Sequence, residues 1–414
     1  MEPRSNAVRQ YFLITGNYWA FTLTDGALRM LVVLHFHQLG YTPLQVALLF
    51  LFYELFGVIT NLVGGWLGAR IGLNRTMNLG LALQVVALGM LTVPASALTV
   101  PWVMAAQALS GVAKDLNKMS AKSSIKLLVP DDQAGALYRW IAALTGSKNA
   151  LKGVGFFLGG ALLSAFGFRA ALAGMALALV AVWLGSLVFL QRDLGKARSK
   201  PKFRDLFSKS RAVNVLSAAR LFLFGARDVW FVVALPVFLA TALHWSDWAV
   251  GAFLASWVIG YGVVQSVAPY FTGRRRGRTP DGAHAFAWAA ALAAAPAIMA
   301  ALLGLAVDAT VVLVVGLAVF GVLFAVNSSL HSYLIVSYAS EDGVSLDVGF
   351  YYMANALGRL LGTVLSGAVF QVGGLVPCLW IASALVVSAA LISLALPKHP
   401  LSVDVAEGRT RAGD

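Results

Sequence analysis

The sequence predicts an all-α polytopic membrane protein with 12 transmembrane helices arranged as two similar six-helix halves. Three observations support this fold class: the composition, the number of long apolar stretches and an internal duplication. The chain has 414 residues, of which 59% are hydrophobic and 12% are charged, whereas soluble domains carry about 25% charged residues. This composition excludes a soluble enzyme, and a single cysteine excludes a disulfide scaffold.

Twelve apolar stretches are long enough to cross a bilayer, since a spanning helix needs about 20 residues. In chain order they are Tyr11–His37, Leu44–Ala69, Met77–Pro94, Val100–Ser120, Leu137–Phe166, Ala170–Leu190, Val213–Leu243, Trp248–Phe271, Ala283–Val307, Thr310–Tyr338, Leu346–Val372 and Leu375–Leu396. The first stretch is too long for a cleavable signal and has no cleavage site close behind it.

The basic residues predict the orientation of the chain. With a cytoplasmic amino terminus, most Lys and Arg residues fall in cytoplasmic loops and tails, which is the positive-inside pattern. The main contributors are the loop 191–211 and the arginine-rich run 274–278. Between two spans, such a run indicates a topology anchor beside anionic lipid rather than nucleic-acid binding. We therefore expect both termini in the cytoplasm, the lipid bilayer as surroundings and no nucleic-acid partner.

An internal duplication divides the chain into two halves. Asp25 and the residues after it resemble Asp228 and the residues after it, and the string NAL at 149–151 recurs at 355–357. A third match, between 41–49 and 245–253, occurs in the same order. The predicted units are residues 1–190, a basic linker at 191–212, residues 213–398 and a tail at 399–414. Parallel six-helix halves are the architecture of major facilitator transporters.

Two local motifs resemble those of facilitators, each with a departure. The loop between the second and third spans contains Gly65, Gly68, Arg70, Gly72 and Arg75, with Ala69 where an acidic residue is usual. The fifth span contains Gly155, Gly159 and Gly160, which resemble the antiporter motif, with Phe156 in place of its proline. The departures weaken the gating and antiporter interpretations, because small residues are common at all membrane helix contacts.

Ionisable residues within the spans are the clearest functional signal, since each costs at least about 2.5 to 3.5 kcal/mol at bilayer depth. The basic residues are Arg29, Lys114, Lys118, Lys148, Lys152, Arg220, Arg227 and Arg359. The acidic residues are Asp25, Glu54, Asp115 and Asp228. Eight minus four leaves an excess of +4, which an anionic substrate would neutralise.

Helical spacing and depth place these charges near the centre of the membrane. Lys114 and Lys118 share one helix face, as do Lys148 and Lys152, and Arg220 and Arg227 share another. We expect a basic cage drawn from both halves, with Asn149, Asn355, Tyr351 and Tyr352 as polar contributors. Lys122 is expected to reach the cytoplasmic surface, and Arg227 and Asp228 are expected to be poor partners because adjacent helical residues diverge. Asp25 with Arg29 fits structural pairing and substrate or proton handling equally well.

The source of energy is also constrained by the sequence. The chain has no nucleotide-binding glycine-lysine loop, so transport is secondary and Asp25, Glu54 and Asp228 are the candidate proton carriers. No compact spacing of ligands predicts a metal site, and we expect no cofactor. The rival class is a membrane enzyme or a receptor that moves no substrate.

Five longer strings closely resemble the ArsJ-type organoarsenical efflux permeases. They are 16–37, 113–128, 146–160, 223–236 and 347–362. The resemblance implies export of 1-arseno-3-phosphoglycerate, an unstable ester made by glyceraldehyde-3-phosphate dehydrogenase when arsenate replaces phosphate. It also implies arsenate resistance, a functional link to that dehydrogenase and a bacterial inner membrane. We expect a monomer, and exchange of an ordinary organophosphate with phosphate remains the alternative within transporters.

Overall fold

A computed structural model describes residues 2–40, 49–130, 133–191, 194–197, 210–272, 280–341 and 343–398. For residues 2–5, 37, 51, 54, 134, 247 and 248 the description covers the backbone alone. All regular structure within these ranges is helical. By length and composition, seven helical segments of the described chain are able to cross a membrane, and one of them, Gly135–Phe189, is 55 residues long, enough for two spans.

The helices follow one another closely along the chain. They are α1 (Glu2–Gln38), α2 (Leu51–Ile71), α3 (Leu73–Met90), α4 (Val100–Leu128), α5 (134–166), α6 (168–189), α7 (Arg211–Phe231), α8 (Ala234–Thr241), α9 (Asp247–Thr272), α10 (Gly282–Gly304), α11 (Ala309–Tyr338), α12 (Val344–Gly373) and α13 (Leu375–Ser393). With α8 taken as the continuation of α7, as in the segment Arg211–Thr241, the described helices correspond to the twelve predicted spans, six in each half, although only seven segments are long and apolar enough to be identified as membrane-crossing by length and composition alone.

Local sequence explains where several helices begin and end. Gly167, with φ 75° and ψ 172°, separates α5 from α6, in a backbone conformation that residues with a side chain rarely adopt. The side chain of Asp308 accepts a hydrogen bond from the backbone N–H of Val311 at 2.9 Å and so caps α11. Asp281 and His284 form a capping box at the start of α10.

The seventh predicted span is interrupted, which the sequence pattern did not indicate. The structure ends α7 at Phe231 and begins α8 at Ala234. Pro236 lies in the first turn of α8, where the missing N–H of proline is tolerated. The backbone N–H of Ala234 donates to Ser366 Oγ at 3.1 Å, so a side chain of α12 compensates for the break.

Equivalent pairs of helices pack together in the two halves. In the first half α1 packs along α5, where Gly155 and Gly159 lie against Gly26 and Ala27. In the second half α7 packs in the same way along α12. The equivalence of the two contacts agrees with the duplication seen in the sequence.

The two halves meet at the end of the bundle that contains the beginning of α1. There α2 packs on α12, and a Cβ on Gly65 would meet the carbonyl oxygen of Ser345. A second contact joins α5 to α9, where a Cβ on Gly262 would lie 2.6 Å from the carbonyl oxygen of Gly146. Small residues are therefore required for the close approach of these helices.

The apolar core shows which end of the protein is closed. One buried cluster draws residues from both halves, among them Tyr11 and Tyr138 of the first half and Tyr333 and Val348 of the second. The other two clusters each belong to a single half. The halves thus share a core at the end holding the amino terminus and separate toward the opposite end, which leaves a central cleft between them.

The linker is hydrogen-bonded to the junction of α2 and α3, where Ala69 takes the place of the usual acidic residue. The backbone N–H of Ala197 donates to the carbonyl of Ala69 at 2.8 Å, and the N–H of Leu73 donates to the carbonyl of Leu194 at 2.8 Å. Backbone hydrogen bonds from the linker thus hold the junction of α2 and α3. The rest of the predicted linker at 198–209, the arginine-rich run at 274–278 and the tail at 399–414 lie outside the described residues, and the unit boundaries remain predictions.

Candidate functional site

Basic side chains from five helices line the central cleft. They are Arg29 of α1, Lys114, Lys118 and Lys122 of α4, Lys148 and Lys152 of α5, Arg220 and Arg227 of α7, and Arg359 of α12. Lys148 of the first half lies within electrostatic range of Arg359 of the second, and so does Lys152. Seven of the eight basic residues named from the sequence are partly exposed, whereas Arg220 and a ninth, Lys122, are buried beneath them.

Tyr53 of α2 organises the first-half side of the cleft. Its hydroxyl donates to the carboxylate of Asp25, at 2.8 Å from Oδ1 and 3.0 Å from Oδ2. The Arg29 guanidinium lies 4.6 Å from the centroid of the Tyr53 ring, and Lys114 Nζ lies 3.8 Å from it. An uncharged residue inside an apolar stretch gives no sequence signal, so Tyr53 was missed. The side chain of Glu54 lies outside the described residues.

Lys122 does not reach the membrane surface, so that expectation is wrong. Only 3% of the residue is exposed, and its Nζ donates to Ser332 Oγ of α11 at 3.3 Å. At the closed end α4 is covered by α11 and α12 of the other half, which buries the lysine between the halves. The spacing of Lys114, Lys118 and Lys122 by four residues, which puts them on one face, could have identified it.

Lys118 has a partner on its own helix. Its Nζ lies 2.5 Å from Asp115 Oδ1, one turn earlier. Lys118 also lies 4.6 Å from the centroid of the Tyr352 ring, which belongs to α12 of the second half. The α4 lysines therefore contact both halves.

Asp228 is the acidic centre of the second-half side. It is fully buried, and its two oxygens accept from Arg227 Nε at 2.6 Å and from Arg359 Nε at 3.2 Å. The expectation that Arg227 and Asp228 are poor partners is therefore wrong. The long arginine side chain curls back to its neighbour, although the two Cα–Cβ bonds diverge. Arg359 acquires its acidic partner from another helix, which spacing along α12 could not reveal.

A polar network centred on Arg220 crosses the floor of the cleft. Arg220 is 3% exposed, and its Nε donates to Asn355 Oδ1 at 2.8 Å while Nη1 donates to Ser328 Oγ at 3.3 Å. Gln265 donates to the same Ser328 hydroxyl at 3.0 Å and accepts from Asn149 Nδ2 at 2.5 Å. Asn149 and Asn355, the repeated asparagines of the duplication, thus belong to one network that joins the halves.

The remaining predicted residues, two lysines and two tyrosines, lie around the Arg220 network. Lys148 Nζ donates to Asn149 Oδ1 at 3.3 Å. The Tyr351 ring lies 5.2 Å from the Arg220 guanidinium, and the Tyr352 ring packs edge-on against Tyr351 at 5.0 Å. Lys152 Nζ lies 5.9 Å from the centroid of the Phe156 ring, the residue in place of the antiporter proline.

The charge balance of the cleft is strongly positive. Nine basic side chains face three described acids, Asp25, Asp115 and Asp228, a formal excess of nine minus three. No three His, Cys, Asp or Glu side chains of the described chain come together as metal ligands. Such an arrangement can hold a small molecule with several negative charges, through planar guanidinium groups and lysine point charges.

Comparison with known proteins establishes the family. The sequence profile of the Major Facilitator Superfamily matches residues 12–298, and a search of curated proteins gave no match. The human organic anion transporter MFSD10 (TETRAN) is similar in structure, with a TM-score of 0.74 and 16% identity over 94% of this chain and 99% of that one.

Two further solved structures show the same architecture. A bacterial homologue of the iron transporter ferroportin, in an outward-facing state, has a TM-score of 0.74 and 15% identity over 93% of this chain and 98% of that one. The E. coli fucose:proton symporter has a TM-score of 0.71 and 14% identity over 94% and 98%. These likenesses confirm the predicted fold class. The chain belongs to the major facilitator superfamily.

Proposed function

We propose that this transporter exports a small polyanion, and that its cargo is the arsenate ester 1-arseno-3-phosphoglycerate. The observation that carries the proposal is the cleft itself, in which nine basic side chains from both halves face three described acids. A carrier of neutral sugars or cationic drugs has no need of this excess, because each embedded charge costs at least about 2.5 to 3.5 kcal/mol. A polyanion neutralises it on binding.

The chemistry of the proposed cargo suits the residues. Phosphate and arsenate groups accept two parallel hydrogen bonds from a guanidinium group, as Arg359, Arg227 and Arg220 can offer. The lone cysteine, Cys378, is buried in α13, and its thiol donates to the carbonyl of Gly374. One such thiol cannot form the multi-thiolate site that trivalent arsenic prefers, so a pentavalent ester fits better. The resemblance to ArsJ-type permeases supports the same class of cargo.

The resemblance to ArsJ-type permeases supports export as the direction of transport. With the amino terminus in the cytoplasm of a bacterial inner membrane, the closed end faces the cytoplasm and the cleft opens outward. Importers and exporters both pass through this shape. For an exporter it is the state after release, before the protein returns empty or with a proton. Alternating access moves the two halves about the cleft.

We infer that a proton gradient drives export and that Asp25, Glu54 or Asp228 carries the proton. Asn substitutions at Asp25 and Asp228 and a Gln substitution at Glu54 should separate their roles. Loss of the coupling carboxylate should abolish accumulation driven by a pH gradient while leaving exchange of labelled anion intact. If all three variants keep gradient-driven transport, proton coupling through these residues is excluded.

Arsenate resistance tests the cargo. An arsenate-sensitive bacterial host expressing the chain should tolerate more arsenate than one with an empty vector, and more still with an extra copy of glyceraldehyde-3-phosphate dehydrogenase. A host with no gain in tolerance would contradict the proposal. Counterflow of labelled 3-phosphoglycerate against phosphate, without any gain in tolerance, would instead favour the organophosphate antiporter. Chemical turnover of the ester without its movement would favour a membrane enzyme.

A further inference from the structure

Three aromatic rings in the cleft each contact two cations. Tyr53 lies under Arg29 and Lys114 at 4.6 and 3.8 Å, Tyr352 under Lys118 and Lys122 at 4.6 and 5.0 Å, and Phe224 under Arg220 and Arg227 at 3.8 and 4.9 Å. Six of the nine basic side chains are therefore grouped in pairs, each pair on one ring. We call Tyr53, Tyr352 and Phe224 the holding rings.

Other contacts fix the position of each holding ring. The hydroxyl of Tyr53 donates to Asp25, the ring of Phe224 packs on Phe324 at 5.1 Å, and the ring of Tyr352 packs on Tyr351. All three residues are buried. The rings are therefore rigid platforms, whereas the lysine and arginine side chains above them have several rotatable bonds.

A ring face can stabilise a cation without neutralising it. The negative face of an aromatic ring attracts a cation, but less strongly than an anion does in a charge-assisted hydrogen bond. Two like charges on one ring also repel each other. A cation that is held by a ring rather than by a carboxylate is consequently less costly than one without a partner, and still available to an incoming anion.

We propose that the holding rings take the place of the substrate in the empty carrier. They contact six cations while the cleft contains no anion, two of which, Lys118 and Arg227, are also paired with Asp115 and Asp228. An entering anion competes with the rings for these cations. This inference rests on the proposed function only in taking the ligand to be an anion. It assigns Tyr53, Tyr352 and Phe224 as positioning residues that weaken anion affinity and stabilise the empty state.

Tyr352 has a further role because its ring and its cations come from different halves. The ring belongs to α12, while Lys118 and Lys122 belong to α4. When the closed end opens, α4 and α12 must separate, so these two contacts break. The Tyr352 ring therefore favours the closed end in the empty protein.

The test measures binding of inorganic phosphate to the purified, full-length protein in detergent, by titration calorimetry and by thermal unfolding. Phe224→Leu and Tyr352→Leu should each bind phosphate more tightly, by about fivefold to thirtyfold, the factor that one or two lost cation–π contacts imply. Both variants should also unfold at a lower temperature without phosphate and show a larger rise in that temperature when phosphate is added.

Two controls separate this effect from loss of packing. Tyr352→Phe keeps the ring and should therefore bind phosphate less tightly than Tyr352→Leu does. Phe320→Leu removes an equally buried ring whose neighbours are Trp230 and Phe324, so it should lower stability without tightening binding. Phosphate affinities in Phe224→Leu and Tyr352→Leu that equal or fall below the wild-type value would overturn the inference.

The outcome is independent of which organic anion the protein exports. Tighter phosphate binding in both Leu variants, together with no export of the arsenate ester, would support the holding rings and contradict the proposed cargo. Export of the ester, together with unchanged phosphate affinity in the Leu variants, would support the proposed cargo and contradict the holding rings.

Discussion

At the residue scale, the contacts that the structure describes hold the cations of the cleft by neutral groups more often than by carboxylates. Arg220 donates to an asparagine and a serine, and Lys122 donates to a serine. Hydrogen bonds to neutral groups satisfy the donors but leave the positive charge in place. The cleft therefore keeps its attraction for an anion after its own polar groups are satisfied.

Removing one cation on either side of the cleft should abolish arsenate resistance. Lys148→Gln and Arg359→Gln each delete a charge-assisted contact, which contributes about 1.5 to 3 kcal/mol and corresponds to roughly tenfold to hundredfold in affinity. Resistance of the host and the amount of protein in the membrane are measured together. Lys196→Gln, a change at an exposed lysine of the linker, is the control. Unaffected resistance in both cleft variants would exclude the basic cleft as the binding site.

The sequence was most informative about charged site residues and least informative about neutral ones. Lys148, Lys152 and Arg359 stand out because a charge inside an apolar stretch is costly and therefore rare. Tyr53 and Gln265 carry no such signal, and their contacts depend on which helices pack together. The pairing of Arg359 with Asp228 was hidden for the same reason, since it joins α12 to α7.

At the scale of the element, the bilayer explains why the helices could be located from the sequence. Within lipid every backbone N–H and C=O must be bonded inside the segment, so an apolar stretch of sufficient length is a helix. The interruption between α7 and α8 was not predicted because Ser366, which is distant in sequence, accepts the hydrogen bond of the backbone N–H of Ala234 there. The burial of Lys122 was not predicted because α4 continues to Leu128 beneath the other half.

The glycine contact between α2 and α12 should control the closed end. Gly349→Leu would force a side chain against the backbone of α2, where a Cβ would already lie 2.7 Å from the carbonyl oxygen of Asn61. We expect the closed end to open, so that Ser332→Cys, protected at that end, becomes reactive toward a maleimide. Cys378 is buried and contributes little background.

A matched glycine on the same helix provides the control. A Cβ on Gly367 would meet nothing within 4 Å, so Gly367→Leu should leave Ser332→Cys protected. Equal labelling in the Gly349→Leu and Gly367→Leu backgrounds would show that the contact does not close this end.

At the scale of the whole molecule, the duplication and the basic residues together predict how the protein is oriented in the membrane. Twelve spans return the carboxyl terminus to the side of the amino terminus. Six spans bring the end of α6 back to the side of the membrane on which α1 begins. In agreement, the side chain of Gln10 in α1 donates to the carbonyl of Phe189 at the end of α6, at 3.1 Å. This contact agrees with the duplication, and the division of the chain into halves remains a prediction.

A reporter fused after residue 414 tests the predicted orientation. Because the positive-inside pattern places both termini in the cytoplasm, a fluorescent protein at the carboxyl terminus should fluoresce, and an alkaline phosphatase at the same place should be inactive. The opposite result would reverse the orientation and turn the cleft toward the cytoplasm.

The central claim is that the cleft exports an arsenate ester, and transport into everted membrane vesicles tests it most directly. The vesicles receive labelled arsenate, glyceraldehyde 3-phosphate, NAD⁺ and the dehydrogenase, and the arsenic retained inside is counted. We expect accumulation that requires every component and disappears in Arg359→Gln but not in Lys196→Gln. Wild-type vesicles that retain no more arsenic than vesicles without the protein, or that retain it without the dehydrogenase, would contradict the claim.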